Sequence, residues 1–187
     1  MKRIISLLVL LLVVVGCQSK PDYSKVYPIE TYDADMSEYE GLDSHDHMFL
    51  GTSVPELVKL IDEKGYGVFV LSTKYCAHCQ IIMRYLNEVA KELNVKIFYL
   101  NGTSEEYPIQ NSDNYDILEN ILYDHLKVGQ DGPEIQTPHV FTIIDGKIKD
   151  SQVGSTWEGL EYKESDIEEL KNVYRKMLTP FSKQSQD

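Results

Sequence analysis

The sequence predicts an α/β domain built on a central mixed sheet, and three observations carry that reading. Two apolar runs of strand length, residues 67–73 (GVFVLST) and 95–100 (VKIFYL), flank a stretch with helical spacing. In that stretch Ile82, Leu86, Val89, Ala90 and Leu93 share one face. Strand, helix and strand in succession imply a right-handed parallel crossover. Asp145-Gly146 then separates residues 139–144 from 147–153, and Asp-Gly at such a place marks an antiparallel hairpin.

The remaining elements follow in order. Residues 47–50 predict a short edge strand. Ser53 caps a helix, with Pro55 in its first turn and Glu56 completing a capping box. Leu57, Leu60 and Ile61 form its apolar face, and Gly65 and Gly67 close it. Residues 101–112 read as a polar loop. A helix follows from about Asp113, where Ile117, Leu118, Ile121, Leu122 and Leu126 recur at intervals of three and four. After a loop over 129–136 and the hairpin, a last helix is predicted from Ser165. Glu168 closes a second capping box there, and Ile167, Leu170, Val173, Tyr174 and Met177 form the buried side.

The 187 residues suffice for one domain with tails, and 42% hydrophobic with 26% charged residues is a globular composition. A net charge of −12, a pI near 4.8 and no cluster of Lys or Arg exclude a nucleic-acid surface. The acidic surface reads as a solubility feature. Three cysteines are too few for a disulfide scaffold or an all-cysteine zinc site.

The first residues stand apart from the domain. Lys2 and Arg3 precede twelve residues, 4–15, in which only Ser6 is polar. Twelve is short of the ~20 that span a bilayer, but it fits the apolar part of a secretory signal. Val14-Val15-Gly16-Cys17 resembles a bacterial lipobox. The resemblance implies a signal peptide over 1–16, cleavage before Cys17 and a lipid on its sulfur. The mature chain then sits outside the cytoplasm on the cell membrane, where disulfides persist. Residues 18–46 hold eight Asp or Glu against two Lys, with Pro21 and Pro28. Residues 17–46 therefore read as a lipidated acidic tether, though Tyr23, Tyr27, Tyr32 and Tyr39 offer rings that pack on a domain. The domain is expected over 47–180, with a polar tail over 181–187.

Cys76-Ala77-His78-Cys79 falls where a buried strand ends and an amphipathic helix begins. Free N–H groups and the helix dipole stabilise an anion there. The Cys76 thiol is expected to ionise below the free value of about 8.5, which makes it the nucleophile. Two intervening residues bring the Cys79 sulfur within reach of it.

The succession of strand, CxxC, helix, strand, helix, Thr137-Pro138, hairpin and final helix resembles the thioredoxin superfamily over roughly residues 68–178. The resemblance implies a three-layer thioredoxin-like fold with helices on both faces of the mixed sheet. It implies that Thr137-Pro138 is the family's cis-proline loop and that Val153-Gly154 matches the glycine after the last strand. Tyr75-Cys76-Ala77-His78-Cys79-Gln80 behind a lipobox resembles thioredoxin-like lipoproteins and bacteriocin-transport accessory proteins of Gram-positive bacteria.

Roles follow from the resemblance. Cys76 attacks a substrate sulfur, Cys79 resolves the mixed disulfide, and His78 donates a hydrogen bond or charge to the Cys76 thiolate. Tyr75, Thr137 and Pro138 contact an extended substrate. The implied activity is thiol–disulfide exchange, as oxidase or isomerase more than reductase. It acts on thiols or disulfides of exported proteins or peptides and needs no cofactor beyond the Cys76–Cys79 disulfide. The chain is expected to be a monomer, with a membrane partner that recycles the dithiol. Two positions depart from the family: Val70 stands where many members bury a carboxylate, which implies slower proton transfer at Cys79, and Tyr75 replaces a tryptophan.

Other readings stay open. Cys76 and Cys79 also fit a structural disulfide, or a lipoprotein that binds peptides without turnover. A copper-handling protein is a further reading, with His78, His45 and His47 as candidate ligands, although His45 and His47 flank the tether and read as solvated. His125 reads as structural or exposed. His139 lies close enough to Pro138 to approach the dithiol, and Trp157 reads as core or groove.

Overall fold

The computed structural model describes residues 21–102, 112–129 and 132–183. The predicted signal peptide, Cys17, the start of the predicted tether, most of the predicted loop over 101–112, part of that over 129–136 and residues 184–187 lie outside the described residues.

Five strands form one sheet in the order β1-β3-β2-β6-β7. They are β1 (Phe49–Thr52), β2 (Gly67–Ser72), β3 (Ile97–Asn101), β6 (His139–Ile144) and β7 (Lys147–Val153). A short ribbon of β4 (Lys127–Val128) and β5 (Pro133–Glu134) stands apart. β1, β3 and β2 run parallel, while β6 and β7 are antiparallel. The predicted crossover and the Asp145-Gly146 hairpin account for both senses of pairing.

Alternation along the strands divides the apolar residues between two cores. Val68, Val70, Ile97, Tyr99 and Val140 face α2 (Ala77–Leu93) and α4 (Glu164–Leu178). Phe69, Leu71, Phe98, Leu100, Phe141 and Ile143 face α1 (Val54–Asp62) and α3 (Ser112–Leu122). Helices therefore cover both faces, and the fold is the three-layer thioredoxin-like α/β architecture.

The helix ends show where local signals gave way. Ser53 Oγ accepts the Glu56 N–H at 3.4 Å, as a cap should. The Glu56 carboxylate does not close the box; it accepts the backbone N–H of Glu30 at 2.8 Å. α4 begins at Glu164, not at Ser165, and Asp166, not Glu168, accepts the Lys163 N–H at 2.7 Å. Glu168 instead pairs with Arg175 at 2.6 Å on the exposed side. Two acidic residues stood at cap spacing, and the nearer one took the role.

The segment predicted as a solvated tether is not free of the domain. Residues 21–46 pack on the domain as a strap. Ile29, Ala34, Met36 and Tyr39 are buried, and Tyr32 forms an antiparallel bridge to Gly51 of β1. Tyr23 and Tyr27 set their rings edge-on to Tyr66, at 4.9 and 5.3 Å. The acidic side chains stay outside while a few apolar ones turn inward, so a low mean hydropathy conceals a good packing surface. The tail is also shorter than expected. Phe181, in the turn after α4, is buried against Tyr23, and Ser182 is buried beside it.

Candidate active site

Cys76 is the N-cap of α2. Its sulfur accepts the backbone N–H of Cys79 at 3.3 Å, so one of the helix's free donors points at the place where charge resides. The two cysteines are free, Cys76 half-buried and Cys79 fully buried. This difference separates their acidities. The hydrogen bond from the Cys79 thiol, helped by backbone N–H groups of Cys79 and His78, lowers Cys76 to about 5 against the opposing effect of burial. Cys79 is driven the other way, first by that same bond to Cys76 and then by burial. The shared proton stays on Cys79 and the negative charge on Cys76.

The second wall of the site is the loop before β6. The Thr137–Pro138 peptide is cis, and the Thr137 carbonyl lies 3.3 Å from Cys76 Sγ, where it accepts from the sulfur only when Cys76 is protonated. Gly154, at φ +67°, follows β7 and donates its N–H to the Pro138 carbonyl at 2.8 Å. A cavity of about 170 Å³ opens beside the dithiol, lined by His78, Lys127, Gln136, Thr137, Gly154 and Trp157 among others. Tyr75 stands at the rim, 79% exposed.

His78 lines this cavity. Its Nδ1 is buried without a hydrogen-bond partner among the described residues, and its backbone N–H reaches the Cys76 thiolate. Trp157 packs on Tyr162 at 5.4 Å, and its buried indole N–H also has no partner among the described residues. A donor and a ring nitrogen thus line one cavity without partners among the described residues.

The other histidines divide differently from expectation. His47 is buried, not solvated. Its Nδ1 accepts the Phe49 N–H at 3.2 Å, which leaves Nε2–H to donate to the Ala34 and Ser44 carbonyls at 2.9 and 3.0 Å. Both nitrogens are committed to holding the strap, so His47 leaves the set of candidate metal ligands. His45 remains on the surface near Asp33, at 3.5 Å. His125 ends a short turn after α3.

His139 is buried in β6, with Nε2 against Ser151 Oγ at 2.7 Å and Nδ1 without a partner among the described residues. Burial lowers it from 6.5 to about 4. The fold favours the neutral ring, so this contribution to stability is complete above pH 6.5 and fades as the pH falls toward 4. The interval corresponds to about 3 kcal/mol. Urea unfolding of His139→Gln is expected to lose less stability than wild type between pH 7 and pH 4, by roughly that amount. Parallel pH curves for the two proteins would refute it.

Residues with no local signal complete the site. Ser72 closes β2 beneath the cysteines, and Tyr39 of the strap donates to its Oγ at 3.0 Å. The Tyr39 and Tyr99 hydroxyls are 2.9 Å apart. Burial raises Tyr39 to about 12 and Tyr99 further. Gln80 holds the strap in place: its amide donates to the Glu38 and Lys74 carbonyls and its Oε1 accepts from the Glu40 N–H, at 2.7–2.9 Å. Lys74 adds an ion pair with Glu38 at 2.6 Å. The four tyrosines of segment 18–46 were visible in the sequence. Their destination was not, since Tyr39 meets partners 33 and 60 residues away.

Fold and site together define a thioredoxin-fold protein with a CxxC dithiol at the start of α2, opposite a cis-proline loop. Residues 1–18 match the family model described as a prokaryotic membrane lipoprotein lipid attachment site. This supports a lipidated, membrane-anchored protein outside the cytoplasm. Among curated proteins none matches the chain. Solved structures similar to it include thioredoxin from Trypanosoma brucei brucei (15% identity, 73% of this chain and 96% of that one, TM-score 0.44). Thioredoxin O2 from Arabidopsis thaliana in its oxidized state is another (15%, 70% and 95%, 0.43). Thioredoxin from Aeropyrum pernix is a third (18%, 66% and 85%, 0.39).

Proposed function

We propose that the chain is a thiol–disulfide oxidoreductase, anchored by lipid on Cys17, that acts on exported proteins or peptides. One observation carries this reading: the half-buried Cys76 is held as a thiolate while the adjacent Cys79 is buried and keeps its proton. A structural disulfide has no need of such asymmetry. An exchange reaction does, because one sulfur must meet the substrate and the other must wait.

In the oxidising direction a substrate thiolate attacks Cys76 Sγ of the Cys76–Cys79 disulfide. The new S–S bond joins substrate to Cys76, and Cys79 leaves with the electron pair and takes up a proton. A second substrate thiolate then attacks the first substrate sulfur, and Cys76 departs as a thiolate. The substrate is oxidised by two electrons and the protein is reduced to its dithiol. A low-pKa sulfur leaves readily, so the environment of Cys76 favours oxidase or isomerase work. A disulfide-bearing partner at the membrane would restore the disulfide. Tyr75, Thr137 and Pro138 are assigned to the substrate backbone, in the manner of β-strand addition. The resemblance to bacteriocin accessory lipoproteins makes exported peptides the first clients to try.

The test is covalent trapping. Cys79→Ser is expected to accumulate a one-to-one mixed disulfide with a disulfide-bearing peptide, released by dithiothreitol, and Cys76→Ser to accumulate none. A Cys79→Ser protein that stays unmodified would sink the proposal. The reduction potential then fixes direction. Roughly −120 to −180 mV assigns an oxidase or isomerase, and about −270 mV or below assigns a reductase.

A further inference from the structure

The buried Cys79 must give up a proton, or receive one, in every turnover of the exchange reaction proposed above. It has no contact with solvent, so the proton has to travel through polar atoms that touch the sulfur. Besides Cys76, the side chain that acts on the sulfur is Ser72, with the Thr73 backbone nearby. Val70, also packed in this core, offers no polar atom. Ser72 Oγ accepts from Tyr39 Oη at 3.0 Å, and Tyr39 Oη lies 2.9 Å from Tyr99 Oη. Tyr99 is in register with Gly51, and the half-exposed Tyr32 bridges to Gly51 and lays its ring over it. Tyr174 approaches Cys79 from α4, but its hydroxyl has no hydrogen-bond partner among the described residues.

We propose that Ser72, Tyr39 and Tyr99 form a hydroxyl relay that moves the Cys79 proton between the buried sulfur and the sheet edge at Tyr32. The relay rests on the oxidoreductase reading. When Cys79 resolves a mixed disulfide, its S–H proton passes to Ser72 Oγ, the Ser72 proton to Tyr39 Oη, and the Tyr39 proton to Tyr99 Oη. The Tyr99 proton leaves to water at the Tyr32 edge. The electron pair left on Cys79 forms the bond to Cys76, and the substrate sulfur departs with the pair of the broken bond. When Cys79 is the leaving group, every hop reverses. In the resting orientation Tyr39 donates to Ser72 and Ser72 to the Cys79 sulfur, which is the sense for protons moving inward and stabilises the thiolate as it forms. The outward hops follow rotation of the Ser72 and Tyr39 hydroxyls about their C–O bonds. The middle member comes from the strap, which makes the strap part of the chemistry.

The aromatic disulfide dithiobis(nitrobenzoate) separates the steps in a stopped-flow experiment on the reduced protein. Cys76 releases the first nitrothiolate on attack, and Cys79 releases the second on resolution. Tyr39→Phe and Ser72→Ala are expected to leave the first phase within twofold of wild type. The second phase is expected to slow at least about tenfold, and its pH profile to move upward by about one unit, since a tenfold loss of thiolate is one pH unit. A structural role alone would move both phases, or neither. Second phases within twofold of wild type from pH 6 to 9, in variants with wild-type near-ultraviolet circular dichroism, would overturn the relay and leave the oxidoreductase reading standing. If Tyr39→Phe fails to fold, Ser72→Ala decides alone. A wild-type protein with no first phase at Cys76 would overturn both.

Discussion

Iodoacetamide at pH 6 is expected to alkylate Cys76 about tenfold faster than an ordinary thiol and to leave Cys79 untouched. With Cys76 lowered from 9.0 to about 5, nine-tenths of it is thiolate at pH 6, against about one part in a thousand for an ordinary thiol. Low basicity costs some nucleophilicity. At a Brønsted slope of about 0.4–0.5, four pH units remove roughly 40- to 100-fold. The ionisation advantage is near 900-fold, so about tenfold remains. The sign reverses in alkali: an ordinary thiol gains thiolate tenfold per pH unit, while Cys76 is already saturated, and the two rates cross near pH 7. The expected profile is therefore flat from pH 6 to 8, with a fall only toward pH 5. Mass spectrometry after timed quenching reads both cysteines at once. A Cys76 rate that climbs tenfold per unit between pH 6 and 8 would show an ordinary thiol and remove the basis for exchange. Cys76→Ser is expected to abolish both alkylation and disulfide exchange.

The features of this site differ in how far apart their parts lie in the chain. The strand–helix junction at Cys76, the amphipathic face of α2 and the Asp145-Gly146 hairpin are local, and each was readable from spacing. Thr137-Pro138 was readable as a dipeptide ahead of a strand. The environment of Cys79 was not, because it is assembled from β2, β3 and a strap more than thirty residues upstream. Residues 21–46 have neither helical nor strand period, and their buried residues Ile29, Ala34, Met36 and Tyr39 are irregularly spaced. Composition pointed to a solvated tether because it averages over the two sides of the segment. His47 failed for the same reason: a histidine in an acidic run reads as exposed until Ala34 and Ser44 present their carbonyls to it. His78 was legible as a neighbour of the sulfur, and the helix start brings its backbone N–H to the thiolate.

If the strap belongs to the fold, truncating its deepest side chain will show it. Tyr39→Ala is expected to destabilise the protein by about 3–5 kcal/mol, the range for emptying a large aromatic site in a core. Tyr39 is 2% exposed, sits edge-on to Tyr99 at 6.2 Å and belongs to the cluster under α2 and α4. Removing its ring leaves a cavity beside Cys79 and strands the hydroxyls of Ser72 and Tyr99. Tyr39→Phe keeps the ring and loses only the hydrogen bonds, at about 1–2 kcal/mol. Urea unfolding of the chain from residue 18 onward gives both values, and their difference isolates packing from the hydroxyl. A strap that merely rested on the surface would give less than about 1 kcal/mol for Tyr39→Ala, within the range of surface substitutions. Limited proteolysis would then cut between residues 21 and 46 and leave a folded remainder. With the strap in the core, cleavage there waits for unfolding of the whole domain. The resolving cysteine, the hydroxyls bonded around it and the upstream segment then form one cooperative unit.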